Sequence, residues 1–238
     1  MPNWSYNNHA VKGKTEDILA FINYAIENSA KAIKEYGNGT ETIPTKQDNI
    51  EDAVNVLKQC VTPITDFKYG RDKDENGYQP ILVNNVRMST FLPVPDTFLR
   101  YDTTNDAELY EEQAKLQKQE YGVVGWYDYN KKHFSCKWDC ELEDIEQHTE
   151  NGITTITFKT ETPWCIPDKW CRTLQEMFPK LTFFISAEEE GGSYLFFKNY
   201  KDDEENDYIS YVDFDDEESW CNVSDKMNND FIDYVNNF

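Results

Sequence analysis

Histidine is scarce, with three in 238 residues, and no two cysteines form a CxxC pair. A structural zinc site needs four such ligands at short spacings, so Cys60, Cys136, Cys140, Cys165, Cys171 and Cys221 read as small core residues, and neither metal nor cofactor is expected. Positive charge is also sparse: 23 basic residues stand against 45 acidic ones, for a net charge of −22. That balance repels phosphate backbones and anionic membranes, and no basic patch stands out in the sequence, so direct DNA binding is not expected. No window approaches the roughly 18 apolar residues of a membrane span. The opening MPNWSYNNHAVKG lacks the basic end and apolar core of a signal peptide, which points to a soluble cytoplasmic protein. There is no GxSxG elbow, P-loop or GxGxxG run, and no Cys or Ser has a His and Asp setting, so no catalytic residue is assigned. The run DKDENGY opens like a calcium loop at Asp72, but Val83 stands where the bidentate Glu belongs, and a polar turn is expected.

Aromatic residues are plentiful at 15%, and they supply large buried areas from few positions. One α+β domain is expected over residues 1–238. Trp4 to Gly13 reads as an opening strand with Tyr6 and Val11 available for burial. A helix follows, with Thr15 as N-cap, an apolar face of Ile18, Phe21, Ile22, Ala25, Ile26 and Ile33, and Gly37 at its end. Residues 37–133 form an insertion that is mostly helical: one helix opens on an Asp48/Glu51 capping box, another spans 104–121 from Thr104 to Gly122, and FLPVP between them is expected extended. Alternation of Phe134, Cys136, Trp138 and Cys140 predicts a strand over Phe134–Leu142. An acidic connection and the Asn151-Gly152 turn then lead to a strand at Ile153–Thr160.

A helix between Pro167 and Pro179 presents Trp170, Leu174, Met177 and Phe178 to the sheet, and strands at Leu181–Ala187 and Ser193–Tyr200 flank Gly191-Gly192. Trp138, Trp164 and Trp170 are expected in core packing rather than on a sugar-binding face. Without the insertion the order is β-α-β-β-α-β plus one strand, the ferredoxin-like arrangement.

The residues MPNWSYN, FSCKWD (134–139), TETPW (160–164) with Pro167 and Trp170, MFPKLTF (177–183) and the EEEGG that follows keep one order along the chain. Together they resemble the YubB-type ferredoxin-like family of small phage and plasmid proteins, and FLPVP matches its proline-containing middle. Ser5 stands where that family commonly has Cys, and Phe134-Ser135-Cys136 replaces its Trp-Gly-Thr. The resemblance implies a ferredoxin-like fold and a mobile-element origin, and carries no catalytic residues.

The acidic segment 201–220 stands out. Between Asp202 and Glu218 there are ten carboxylates in seventeen residues and no Lys or Arg. The acids are Asp202, Asp203, Glu204, Glu205, Asp207, Asp213, Asp215, Asp216, Glu217 and Glu218, interrupted by Tyr208, Tyr211 and Phe214 and followed by Trp220. A C-terminal helix over 224–237, capped by Ser224, places Met227, Phe231, Tyr234, Val235 and Phe238 on one face. If 207–216 is extended, acids two apart lie about 6.6 Å from each other, the scale of phosphate spacing. A fixed row of that kind fits a basic groove built for nucleic acid.

The expectation is a non-catalytic counter-defence inhibitor, a nucleic-acid mimic whose partner is a host nucleic-acid-binding protein. The most natural target is a CRISPR RNA-guided nuclease or its guide RNA complex, which would make it an anti-CRISPR. The alternatives are a phage accessory interaction module without mimicry, and a carboxylate- or metal-dependent hydrolase.

Overall fold

The computed structural model describes residues 3–64, 73–74, 77–103, 108, 110–207 and 217–238. Strand β1 (Trp4–Lys14) runs directly into helix α1 (Thr15–Tyr36). Lys14 is the N-cap, and the Thr15 hydroxyl, expected to cap, donates to the Gly152 carbonyl at 3.1 Å. The apolar face of α1 is buried as expected from its spacing.

The insertion contains α2 (Ile50–Leu57), β2 (Thr62–Ile64), β3 (Lys73–Asp74), β4 (Gly77–Tyr78), β5 (Ile81–Val83), α3 (Met88–Phe91), α4 (Asp96–Arg100), α5 (Glu111–Tyr121) and α6 (Trp126–His133). Helix α2 is capped one residue later than the sequence suggests, with Asn49 Oδ1 accepting from the Asp52 amide at 2.9 Å. Of FLPVP only Phe91 is helical, closing α3; Pro95, at φ −59° and ψ 143°, is extended as expected and forms the N-cap of α4. Helix α5 begins at Glu111, while Thr104 lies outside the described residues. Gly122 ends it at φ 74°, a conformation that favours glycine.

The sheet is completed by β6 (Glu143–Glu150), β7 (Ile153–Pro163), β8 (Thr182–Glu189), β9 (Leu195–Asn199) and β10 (Glu204–Asp207), with α7 (Asp168–Met177) before β8 and α8 (Glu217–Asn237) last. Its six strands run β10-β9-β8-β1-β7-β6, and every neighbouring pair is antiparallel. The fold is thus α+β, with two strands beyond β8 where the sequence suggests one.

The expected strand at Phe134–Leu142 does not form. Ser135 has φ 65°, which turns the chain out of the extended region. The segment instead fills the space beside α6 and α7, burying Phe134, Cys136, Cys140 and Leu142. Arg87 Nε lies 3.4 Å from Asp139 Oδ2, and Ser89 Oγ donates to the same oxygen at 2.6 Å, which ties the segment to the insertion. The strand paired with β7 is β6, in the acidic stretch read as a connection. It is an edge strand with only Ile145 buried, so it carries no hydrophobic alternation. The Asn151-Gly152 turn is as expected, with both residues at positive φ (51° and 80°) and Glu150 opposite Ile153.

Successive residues of β1 face opposite sides of the sheet. Val11 joins the larger core with α1, α7 and the insertion, while Ala10 joins a second core with Phe184, Leu195, Phe197, Met227, Phe231 and Val235. Helix α8 therefore covers the far face. It starts at Glu217 rather than 224, and Ser224 lies inside it, its hydroxyl donating to Glu188 Oε2 at 2.5 Å instead of capping. Tyr6 and Met177, expected inside, are exposed. Among the described residues, no helix is long and apolar enough to cross a membrane.

Candidate functional site

Three of the acidic-segment side chains are described in full, and each bonds to the scaffold. Asp203 accepts from Lys198 Nζ and Arg172 Nη2, both at 3.4 Å, and these cations, Lys198 foremost, hold its carboxyl below the usual range. Asp202 accepts from Asn199 Nδ2 at 3.2 Å, and Glu204 accepts from the Tyr234 hydroxyl. The turn from β9 to β10 is thereby pinned to the sheet and to α8. Glu205 and Asp207 belong to β10, and Glu217 and Glu218 open α8. Tyr208, Tyr211, Asp213, Phe214, Asp215 and Asp216 lie outside the described residues. Trp220 is half-buried, its indole N–H donating to Glu188 at 3.3 Å.

The opposite sheet edge carries an acidic row that the sequence reading left as a connection. Glu143, Asp144, Glu146 and Glu150 of β6 are all exposed. Pairing with β7 fixes this row, and a register shift between Glu143 and Glu146, with Asp144 at φ 50°, bends its start. Lys159 partners Asp144 at 2.8 Å. The signal was present as the closely spaced acids of ELEDIE (141–146), hidden by the stronger run at 202–218.

Five residues before Glu143, the chain carries Trp138 into an aromatic platform at the end of the sheet. Trp4 begins β1, Trp164 follows β7, and Trp138 lies between them, with ring centroids 6.1 Å from Trp4 and 6.2 Å from Trp164. The sequence reading assigned Trp138 and Trp164 to the core, but they are 37% and 53% exposed, whereas Trp170 is fully buried. The cause is local. Trp164 has φ 62°, its amide donating to Asn3 O at 2.9 Å, so the chain after Pro163 turns its indole away from the sheet. The signal available in the sequence was the bracketing of Trp164 by Pro163 and Pro167, which marks a turn rather than a strand.

Lys137 lies among these rings, its Nζ 5.0 Å from the Trp138 centroid, 5.7 Å from Tyr127 and 6.0 Å from Trp164. Lys131 Nζ lies 5.3 Å from Tyr127, and Lys169 reaches the Lys131 carbonyl at 3.5 Å. His133 titrates low, first from burial and then from Lys132 and Lys169 beside it. A local basic patch therefore exists, made by Lys131 and Lys132 of α6 and Lys137 just beyond it, all within seven residues, with Lys169 of α7 added by the fold. Flat apolar faces with cations at their rim suit partner side chains and planar anionic groups.

The inner end of the sheet is polar. Asn7 Nδ2 donates to Thr160 O at 3.1 Å and Thr162 Oγ1 at 2.9 Å; His9 Nε2 lies 2.9 Å from Thr160 Oγ1. His9 Nδ1 is 3.8 Å from Cys171 Sγ, a Cys–His contact that sequence reading did not find. Burial lowers the His9 pKa to about 3 and pushes the Cys171 thiol far up, so both are neutral near pH 7. That state favours packing over nucleophilic attack. Among the described residues, no group of three His, Cys, Asp or Glu side chains is placed to hold a metal ion.

No family model and no curated protein matches the chain. Among solved structures, that of the protein api92 from Yersinia pseudotuberculosis, a DUF1281 protein, aligns over 87% of this chain and 98% of that one. The two are 10% identical with a TM-score of 0.35, a likeness too distant to bear on this chain's fold or function.

Proposed function

We propose that the chain is a non-catalytic binding protein of phage or mobile-element origin, whose acidic surface occupies the basic groove of a host nucleic-acid-handling protein, with an RNA-guided CRISPR nuclease as the target class. The observation that carries this reading is the row of exposed carboxylates fixed along β6, in a molecule of net charge −22. A rigid row lowers the ordering cost of binding, and long-range attraction speeds encounter with a basic groove. The exposed Trp138, five residues before Glu143, and its neighbour Trp164 supply the kind of anchor on which interface energy concentrates. The β8-β1-β7-β6 order, with α1 and α7 on one face, supports reading the scaffold as ferredoxin-like, as does the resemblance to the YubB-type family.

The test is binding to purified RNA-guided nucleases, with and without guide RNA, at low and high salt. Expected is binding that weakens at least tenfold between about 50 and 300 mM salt. Reversing Glu143, Asp144 and Glu146 to Lys, or likewise Asp213, Asp215 and Asp216, should also weaken it. The platform favours a second reading, an accessory interaction module without mimicry. Binding indifferent to salt and to both charge reversals, yet lost in Trp138→Ala with Trp164→Ala, would select that reading.

A further inference from the structure

Beneath the tryptophan platform lie two cysteines that are far apart in sequence. Cys136 and Cys165 are both free thiols, and each is the foremost influence on the ionisation of the other. The Cys165 thiol also points at the Ser135 carbonyl, 2.8 Å away, the peptide oxygen immediately before Cys136. Cys136 Sγ lies 3.3 Å from the Phe134 carbonyl oxygen.

The backbone on both sides is unusual. The residues preceding the two cysteines, Ser135 at φ 65° and Trp164 at φ 62°, are two of the five non-glycine residues at positive φ among the described residues. Such conformations persist only where the surroundings enforce them.

The two thiols differ in access and in chemistry. Cys136 is fully buried, and Cys165 is half-buried beside the exposed Trp164. Hydrogen bonding from the Cys136 thiol favours the Cys165 thiolate, and the Lys131 ammonium adds to this against the cost of burial. The same contact, with burial, pushes the Cys136 thiol up. Attack requires a thiolate that solvent can reach, and resolution requires a second thiol in contact with it.

We propose that Cys165 and Cys136 are a reversible redox pair, in which Cys165 attacks a small-molecule disulfide and Cys136 resolves the adduct into a Cys136–Cys165 disulfide. In the first step the Cys165 thiolate bonds to one sulfur of the small disulfide, whose S–S bond breaks and releases one thiolate. In the second, Cys136 gives its proton to that released thiolate or to solvent, attacks the Cys165 sulfur and expels the other small thiolate. Two protein thiols are oxidised and one small disulfide is reduced to two thiols, so the exchange balances without any further oxidant. The new bond ties the segment carrying Trp138 to the turn carrying Trp164, fixing the platform above it. None of this depends on which partner the acidic surface meets.

The test uses the full chain with Cys221→Ser, which removes the exposed thiol, treated with oxidised glutathione, alkylated and mapped by mass spectrometry. The expected product is the Cys136–Cys165 disulfide, reversed by dithiothreitol, with a change in tryptophan emission that follows the same course. Cys136→Ser should instead accumulate a glutathione adduct on Cys165. In the reduced parent, Cys165 should alkylate about tenfold faster than the buried Cys60, Cys140 and Cys171, a measurement that needs no core substitution. Full alkylation of both Cys136 and Cys165 after treatment, or a disulfide joining other cysteines, would overturn the proposal.

Discussion

His9 is fully buried between β7 and α7, its ring stacked on Phe158 at 4.7 Å and edge-on to Trp170 at 5.8 Å. Burial lowers its pKa to about 3 from the 6.5 it has when unfolded. The unfolded chain therefore takes up a proton below pH 6.5 that the folded chain refuses until about pH 3. The contribution of neutral His9 to stability is fully present above pH 6.5 and is lost progressively as pH falls toward 3. His9→Gln should thus cost stability at pH 7 through lost packing, and the gap to the parent should narrow at pH 5. Urea unfolding of both proteins at the two pH values measures this, and a gap that stays constant would show that His9 does not titrate as described. Residues of this kind explain what the sequence could not display. His9, Asn7 and Ser5 occupy inward positions of β1 normally held by apolar side chains, so alternation alone could not mark that end as buried. Trp138 and Trp164 failed in the opposite sense: aromatic character predicts burial, and the left-handed φ at Trp164 is not visible in composition or alternation.

Elements were legible where a local rule and the tertiary environment agreed. Helix α1, the Asn151-Gly152 turn, helix α7 and strands β7, β8 and β9 follow directly from apolar spacing and turn chemistry. Strand β6 was hidden because an edge strand paired on one side needs little burial, and its acids are the charges that discourage further pairing. The Phe134–Leu142 segment showed the alternation of a strand and is instead a packed turn, since period two reports burial of alternate residues, not hydrogen bonding. Helix α8 was legible in its apolar face, but not in its role as cover for a second core. That role has a measurable consequence. Phe231 is buried and packs beside Phe197, ring centroids 6.3 Å apart, so Phe231→Ala should cost about 3 kcal/mol. The midpoint of urea unfolding should fall while the transition stays single and cooperative. A loss below about 0.5 kcal/mol, as for ordinary surface substitutions, would mean that α8 is peripheral to the folded unit.

Across the whole molecule, charge is the dominant long-range term, and it acts in two directions. At net −22 the folded chain repels itself, and ion pairs such as Lys115 with Glu111 at 2.6 Å and Lys46 with Glu27 at 2.8 Å are exposed and weak. The less exposed Arg87–Asp139 pair at 3.4 Å is shielded from salt, so screening removes mainly repulsion. The Debye length shrinks from about 30 Å at 0.01 M to about 3 Å at 1 M, within which only contacting charges still interact. Added sodium chloride should therefore raise the melting temperature by a few degrees, since about 1 kcal/mol corresponds to 2–4 °C for a chain of this size. The same addition should weaken any partnership made through the β6 acids, because there the screened interaction is attractive. Differential scanning fluorimetry at pH 7.5 and a binding titration in the same buffers give the two slopes. Opposite signs follow if one acidic surface both strains the fold and serves the partner. A melting temperature that falls with salt would mean that attraction to the lysines of α6 and α7, not repulsion among carboxylates, governs the folded state.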